Sequence, residues 1–239
     1  MTELITHEQI GDACHITLNR PEIGNLISNP MAGDLIEMFK AAETSSKLIV
    51  FRGAGDDFCI GREGGRPPAD QKPTALELRE RTTEPALRLY AAFRDCKIPI
   101  IGVVQGRALG VGCSLAALCD LTLASDKSRY SFPEMKHDLP PALAMSALLD
   151  KVSPKAIAYM VYSTDEIEAG EAKEMGIISR IVAASYLESE VSRISDFMLD
   201  RSSASLIAVK EYLRSAPSMN PTAFADFASN LLANVLASK

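Results

Sequence analysis

Residues 98–120, IPIIGVVQGRALGVGCSLAALCD, decide how this chain is read. Ile98 to Val104 is a continuous apolar run rich in β-branched side chains, the pattern of a strand buried on both faces. Gly106, Gly110 and Gly112 follow in close succession, and Cys113 to Leu118 reads as an Ala- and Leu-rich helix. Strand, glycine turn and helix in that order gather free backbone N–H groups and the positive end of a helix dipole at one point. Such a point suits an oxyanion or a phosphate. The competing reading is packing alone, since glycines let a strand and a helix approach closely; three of them between two apolar elements favour a functional turn.

Known glycine templates narrow the choice. A phosphate loop needs a Lys and a Ser or Thr after its second glycine, and no Lys follows Gly112. The dinucleotide fingerprint needs Gly-x-Gly-x-x-Gly, whereas this chain has Gly-x-x-x-Gly-x-Gly. The nucleophile elbow Gly-x-Ser-x-Gly is nearly met by Gly112-Cys113-Ser114-Leu115-Ala116, which keeps a serine-hydrolase reading open.

Composition bounds the rest. The 239 residues are 47% hydrophobic, enough for a full core. A formal net charge of −6 without a basic block argues against nucleic-acid or membrane-surface binding. The five cysteines lack metal-type spacing and read as buried free thiols in a reducing compartment, with no metal site expected. Met1 to Ile10 has no charged and then apolar leader pattern, and no run is long enough to span a bilayer, so a cytoplasmic protein is expected.

Along the chain, Ala13 to Leu18 alternates as a half-buried strand, and Asn29-Pro30 reads as an N-cap and first helical residue. Lys47 to Arg52 is a second strand. Gly53 to Pro73, with five glycines and three prolines, is a long loop suited to function or mobility. Thr74 to Cys96 is helical with a kink or break at Pro85. A short strand at Leu121 to Ala124 precedes a loop carrying Phe132-Pro133-Glu134. Helices are predicted at Ala142–Val152, Pro154–Tyr162, Glu168–Met175, Tyr186–Leu199, Ala204–Ser215 and Thr222–Ala237, with a strand at Ile177–Val182. Strands alternating with helices and then an all-helical tail predict an α/β fold.

Four motifs, in order, give the chain a family likeness. Leu18-Asn19-Arg20-Pro21-Glu22 with Asn25, Phe58-Cys59-Ile60-Gly61-Arg62-Glu63, Gly106 to Asp120, and Phe132-Pro133-Glu134 together resemble the crotonase (enoyl-CoA hydratase/isomerase) family. The resemblance implies a spiral of ββα units over residues 1–195 and a C-terminal helical oligomerisation region, 196–239, building a homotrimer or dimer of trimers. It also implies an acyl-CoA thioester substrate, with coenzyme A part of the substrate and no separate cofactor. Carried over by position, the backbone N–H groups of Arg62 and Val111 form an oxyanion hole, with Ile60, Gly61, Glu63 and Gly110 lining the substrate site. Such donors stabilise the enolate that forms when a proton moves beside a thioester carbonyl.

Hydratases of the family generally use two glutamates. Here Glu134 matches the second, and Ser114 stands where the first would be. One carboxylate fits hydration, with Glu134 as acid and base and Ser114 holding water, as in the similar serine and glutamate spacing of hydroxycinnamoyl-CoA hydratase-lyases. It also fits double-bond isomerisation by Glu134 alone. Outside the motif, Glu134 would read as a solvated loop carboxylate. His137-Asp138 replaces the family's Leu-Gly and places a histidine and an acid near Glu134. The familiar C-terminal lysine contact to the CoA phosphates has no match, which leaves Arg20, Arg62 or Arg66 to supply charge. Two further classes stand beside these: a serine hydrolase on Ser114, for which His137 is too close in sequence, and a non-catalytic acyl-CoA binding protein.

Overall fold

In the computed structural model, which describes residues 3–64 and 72–238, the chain opens with an antiparallel hairpin of β1 (Ile5–Ile10) and β2 (Ala13–Leu18). Helix α1 (Asn29–Ser45) leads into β3 (Leu48–Gly53), which adds parallel to β2. After α2 (Ala75–Leu78), a wide helical turn at Arg79–Thr83 and α3 (Glu84–Asp95), the chain returns as β4 (Ile100–Val104), parallel to β3. Then the ββα rhythm sets in. Short β5 (Arg107–Leu109) leaves the main sheet for a second one, α4 (Val111–Leu118) returns, and β6 (Leu121–Ser125) rejoins beside β4. The pattern repeats with β7 (Arg129–Ser131) beside β5 and a 3-10 turn at Pro133–His137.

The remainder is α5 (Ala142–Leu148), α6 (Pro154–Ser163), β8 (Ile167–Glu168), α7 (Ala169–Glu174), β9 (Arg180–Val182), α8 (Leu187–Leu199), α9 (Ser203–Ser215) and α10 (Pro221–Ala237). Among the described residues the main sheet runs β1-β2-β3-β4-β6-β9 and the second β5-β7-β8.

Burial explains the unbroken apolar runs. On β3, Ile49 and Phe51 face α1 and α3, where Phe39, Phe51, Phe58 and Phe93 pack edge to face. Leu48 and Val50 face the opposite way, against Leu187 and Val191 of α8. A strand covered on both sides has no polar face to alternate with.

Several elements differ from their sequence reading. β1 is an edge strand buried only at Ile5, so it carries no alternation to detect. β5 and β7 are too short for a pattern. β4 starts at Ile100 rather than Ile98 because Pro99 intervenes; the Pro99 carbonyl accepts from Ile49 N–H at 2.9 Å. The N-cap of α1 is Ser28, whose hydroxyl accepts from Met31 N–H, rather than Asn29. Asn29 works elsewhere. Pro85 has no N–H to return to the Arg81 carbonyl, and Asn29 Nδ2 donates to that oxygen at 2.9 Å, so the expected break at Pro85 becomes a wide turn bracketed by α1. The first part of the glycine-rich loop is firmly held: buried Asn25 donates from Nδ2 to the carbonyls of Ala54 and Asp57, each at 2.8 Å.

The helical tail is pinned through one buried cation. Lys210 of α9 is 6% exposed, and its Nζ lies 2.7 Å from Asp120 Oδ2 and donates to the Ile98 carbonyl at 2.9 Å. Asp120 also accepts from Ile100 N–H, so tail, strand start and helix end meet at one carboxylate. Breaking a fully buried pair costs about 3–5 kcal/mol, and partial exposure of Asp120 lowers this. Lys210→Met is expected to lose about 2–3 kcal/mol in urea unfolding; wild-type stability would show that the pin carries no weight.

Candidate active site

Two segments distant in sequence are brought side by side by a single isolated bridge. Cys59 pairs parallel to Ala108, with Leu109 N–H donating to the Cys59 carbonyl at 2.9 Å and Cys59 N–H to the Arg107 carbonyl at 3.2 Å. Running on in the same direction, the two segments reach Arg62 and Val111. Arg62 also bridges Ile27 through its neighbours' groups, Gly61 O accepting at 3.1 Å and Glu63 N–H donating at 2.8 Å. That pattern turns Arg62's own N–H away from Ile27. Val111 opens α4, where N–H groups have no partner within the helix. Among the described residues neither amide has an acceptor.

The close approach depends on glycine. A Cβ on Gly112 would sit 1.9 Å from the Cys59 carbonyl oxygen, so any other residue would push the two segments apart. Gly110 caps α4 at φ 52 and ψ −116, a conformation that strongly favours glycine, and a Cβ there would lie 2.9 Å from Glu134 Oε1. Its missing side chain leaves room for the carboxylate.

Glu134 sits in the 3-10 turn after Phe132 and packs against Gly110. Its Oε2 is buried without a hydrogen-bond partner among the described residues, and it joins no ion pair. Burial pushes its carboxyl above the ordinary glutamate range, opposed only by its own backbone N–H. Ser114, one turn into α4, is fully buried, and its Oγ donates to the Gly110 carbonyl at 3.3 Å. A hydroxyl so engaged keeps its lone pairs for accepting. The structure adds Tyr90 of α3, which the sequence reading missed: it is 1% exposed, and its hydroxyl is turned toward Ser114 without a hydrogen bond of good geometry, within the field of Glu134. The only signal was a tyrosine in a helix of charged and apolar residues, which marks nothing.

The other expected residues fall into place unevenly. Ile60 and Gly61 lie on the bridging segment, Ile60 packing over Gly24 and Gly61 at φ 137. The Glu63 side chain turns outward to Arg20 at 2.6 Å. The Arg62 guanidinium is tied to the Thr82 carbonyl and to Asn29 Oδ1, so both Arg20 and Arg62 have protein partners. Arg66 and the rest of 65–71 lie outside the described residues. His137 and Asp138 are exposed. His137 lies in solvent and Ser114 Oγ is bonded to the Gly110 carbonyl, so the Ser114–His137 pairing that a serine hydrolase would need is not made. Among the described residues no group of three His, Cys, Asp or Glu side chains is placed to hold a metal ion, and no helix is long and apolar enough to cross a membrane.

A glycine-capped helix start, a second amide delivered by a parallel bridge and a buried carboxyl oxygen without a partner make an arrangement suited to a developing oxyanion beside an acid or base. Comparison with known proteins agrees: the family model described as enoyl-CoA hydratase/isomerase matches residues 8–239, and the chain belongs to that family. Among curated relatives, 2,3-dehydroadipyl-CoA hydratase of Escherichia coli is 30% identical over 90% of this chain and 82% of its own length. The (E)-benzylidenesuccinyl-CoA hydratase of Thauera aromatica is 31% identical over 77% of this chain and 71% of its own. Among solved structures, a Mycobacterium smegmatis enoyl-CoA hydratase superposes with a TM-score of 0.90 at 24% identity, covering 98% of this chain and 91% of that one. An enoyl-CoA hydratase-type protein of Thermobifida fusca, solved in complex with CoA, gives 0.86 at 24% identity, covering 98% and 93%. The fold is the crotonase fold.

The isolated carboxyl has a measurable cost. Because Glu134 titrates higher folded than unfolded, stability is full below the ordinary glutamate pKa of 4.5 and falls as pH rises through the raised value. Glu134→Gln is therefore expected to melt higher than wild type at neutral pH, with the advantage vanishing in acid. Equal melting points across the whole range would show the carboxyl is solvated.

Proposed function

We propose that this protein catalyses the reversible addition of water to a 2-enoyl-CoA, with Glu134 as the single acid and base. The observation that carries this is Glu134 Oε2, buried and unpartnered on a half-buried side chain packed against the glycine that starts α4. The thioester oxygen accepts from the N–H groups of Arg62 and Val111, each donor worth about 3 kcal/mol to the developing enolate. Ionised Glu134 takes a proton from water as the water oxygen bonds to C3 and the double-bond electrons move onto the thioester oxygen. The enolate then collapses, and Glu134 returns the same proton to C2. Atoms and charge balance, and the base is regenerated.

Ser114 serves as an acceptor for the attacking water. The hydratase names of the relatives at 30% and 31% identity support this reading. Double-bond isomerisation is the second reading, favoured by the lone carboxylate: Glu134 would carry a proton between C4 and C2 with no water needed. For assembly, we propose a homotrimer or dimer of trimers built by the region from 196 onward, in keeping with exposed apolar side chains such as Leu213, Leu232 and Leu236 on α9 and α10.

Incubation with 2-enoyl- and 3-enoyl-CoA esters, followed by product analysis, separates hydration from isomerisation. Glu134→Gln is expected to lower kcat by about 10²–10⁴-fold, and full activity in that variant would remove Glu134 from the reaction. Since the base must be ionised and burial raises its pKa, kcat/KM should fall on the acid side at a pH above the ordinary glutamate range. Tight CoA-ester binding with no turnover of any ester would instead indicate a binding protein.

A further inference from the structure

Buried polar atoms almost always have partners, and one left without costs about 1–3 kcal/mol. Two such atoms occur together here. Tyr90 is 1% exposed, with its hydroxyl turned toward Ser114 but making no hydrogen bond of good geometry, and Glu134 Oε2 is buried and unpartnered. Both lie about the first turn of α4: Glu134 against Gly110, and Tyr90 beside Ser114, whose own Oγ is turned to the Gly110 carbonyl. A phenylalanine at 90 would avoid the cost, and Phe39, Phe51 and Phe93 already fill the core beside α3. Packing alone therefore gives this hydroxyl no role.

We propose that Tyr90 is a further catalytic residue, whose hydroxyl donates to the attacking water and holds it between Ser114 and Glu134. This rests on the hydration reading above. On this proposal the water donates one hydrogen to Glu134 Oε2 and the other to Ser114 Oγ, and accepts from the Tyr90 O–H. One lone pair remains free to bond C3. Burial keeps the phenol protonated, its pKa pushed up to about 12, so it stays a donor across the working range. Tyr90 thus does for the water what a second carboxylate would otherwise do, without placing another negative charge beside Glu134.

The test is Tyr90→Phe in the full-length protein, read by two reactions. Hydration of a 2-enoyl-CoA needs the held water; exchange of the C2 hydrogens of a saturated acyl-CoA in D2O needs Glu134 and the two amides but no water at C3. Tyr90→Phe is expected to cut kcat for hydration by about 10²-fold, to leave C2 exchange within about twofold of wild type, and to melt no lower than wild type. Hydration at the wild-type rate would overturn the proposal, as would equal loss of hydration and exchange, which would mean that Tyr90 acts only by shaping the site around Glu134. Failure of the underlying reading looks different: wild type would add no water to any 2-enoyl-CoA, or Glu134→Gln would hydrate and exchange normally.

Discussion

The parallel contact of Cys59 with Ala108 is the constraint on which everything else turns. It is short, and it holds because Gly112 carries no side chain to meet the Cys59 carbonyl and because Asn25 and the Asp57–Arg107 ion pair, 2.7 Å apart, fix the loop behind it. The ion pair also draws the Asp57 carboxyl below its ordinary range, so this brace stays charged at neutral pH. With both segments fixed in this way, two amides stand unpartnered next to a helix start, and on the proposed reading no reorganisation is needed when charge develops.

That preorganisation has a counterpart in cost. The Glu134 carboxyl is buried with no cation beside it, and Tyr90 holds a hydroxyl where a phenylalanine would pack as well. Neither helps the chain fold. Around them the structure is conventional: a sheet with apolar side chains on both faces, an aromatic cluster between α1 and α3, and a buried lysine joining the tail to the core. A buried carboxylate oxygen without a partner inside an otherwise well-packed fold is a candidate site of chemistry.

Much of this was legible in the chain itself, for identifiable reasons. β2 alternates as expected from Cys14 to Leu18, with His15 and Thr17 half-buried on the other face. The glycine turn and α4 were readable because backbone conformations so unusual leave few residue types to choose from. Glu134 was found through its motif, since a loop carboxylate by itself looks solvated. What escaped depended on tertiary placement: β1 and β5 have no periodicity, Asn29 looked like a cap until Pro85 freed a carbonyl across from it, and Tyr90 acquires meaning only when α3 lies against α4. His137 and Asp138, near Glu134 in sequence, face solvent.

The central claim is that the amides of Arg62 and Val111 converge on one thioester oxygen. Isotope-edited infrared spectroscopy of a bound acyl-CoA, labelled with ¹³C at the thioester carbonyl, reads that contact directly. Two donors on the oxygen should move the carbonyl stretch to lower frequency than in water. A bound ester whose stretch is unchanged, or shifted upward as in an apolar solvent, would contradict it.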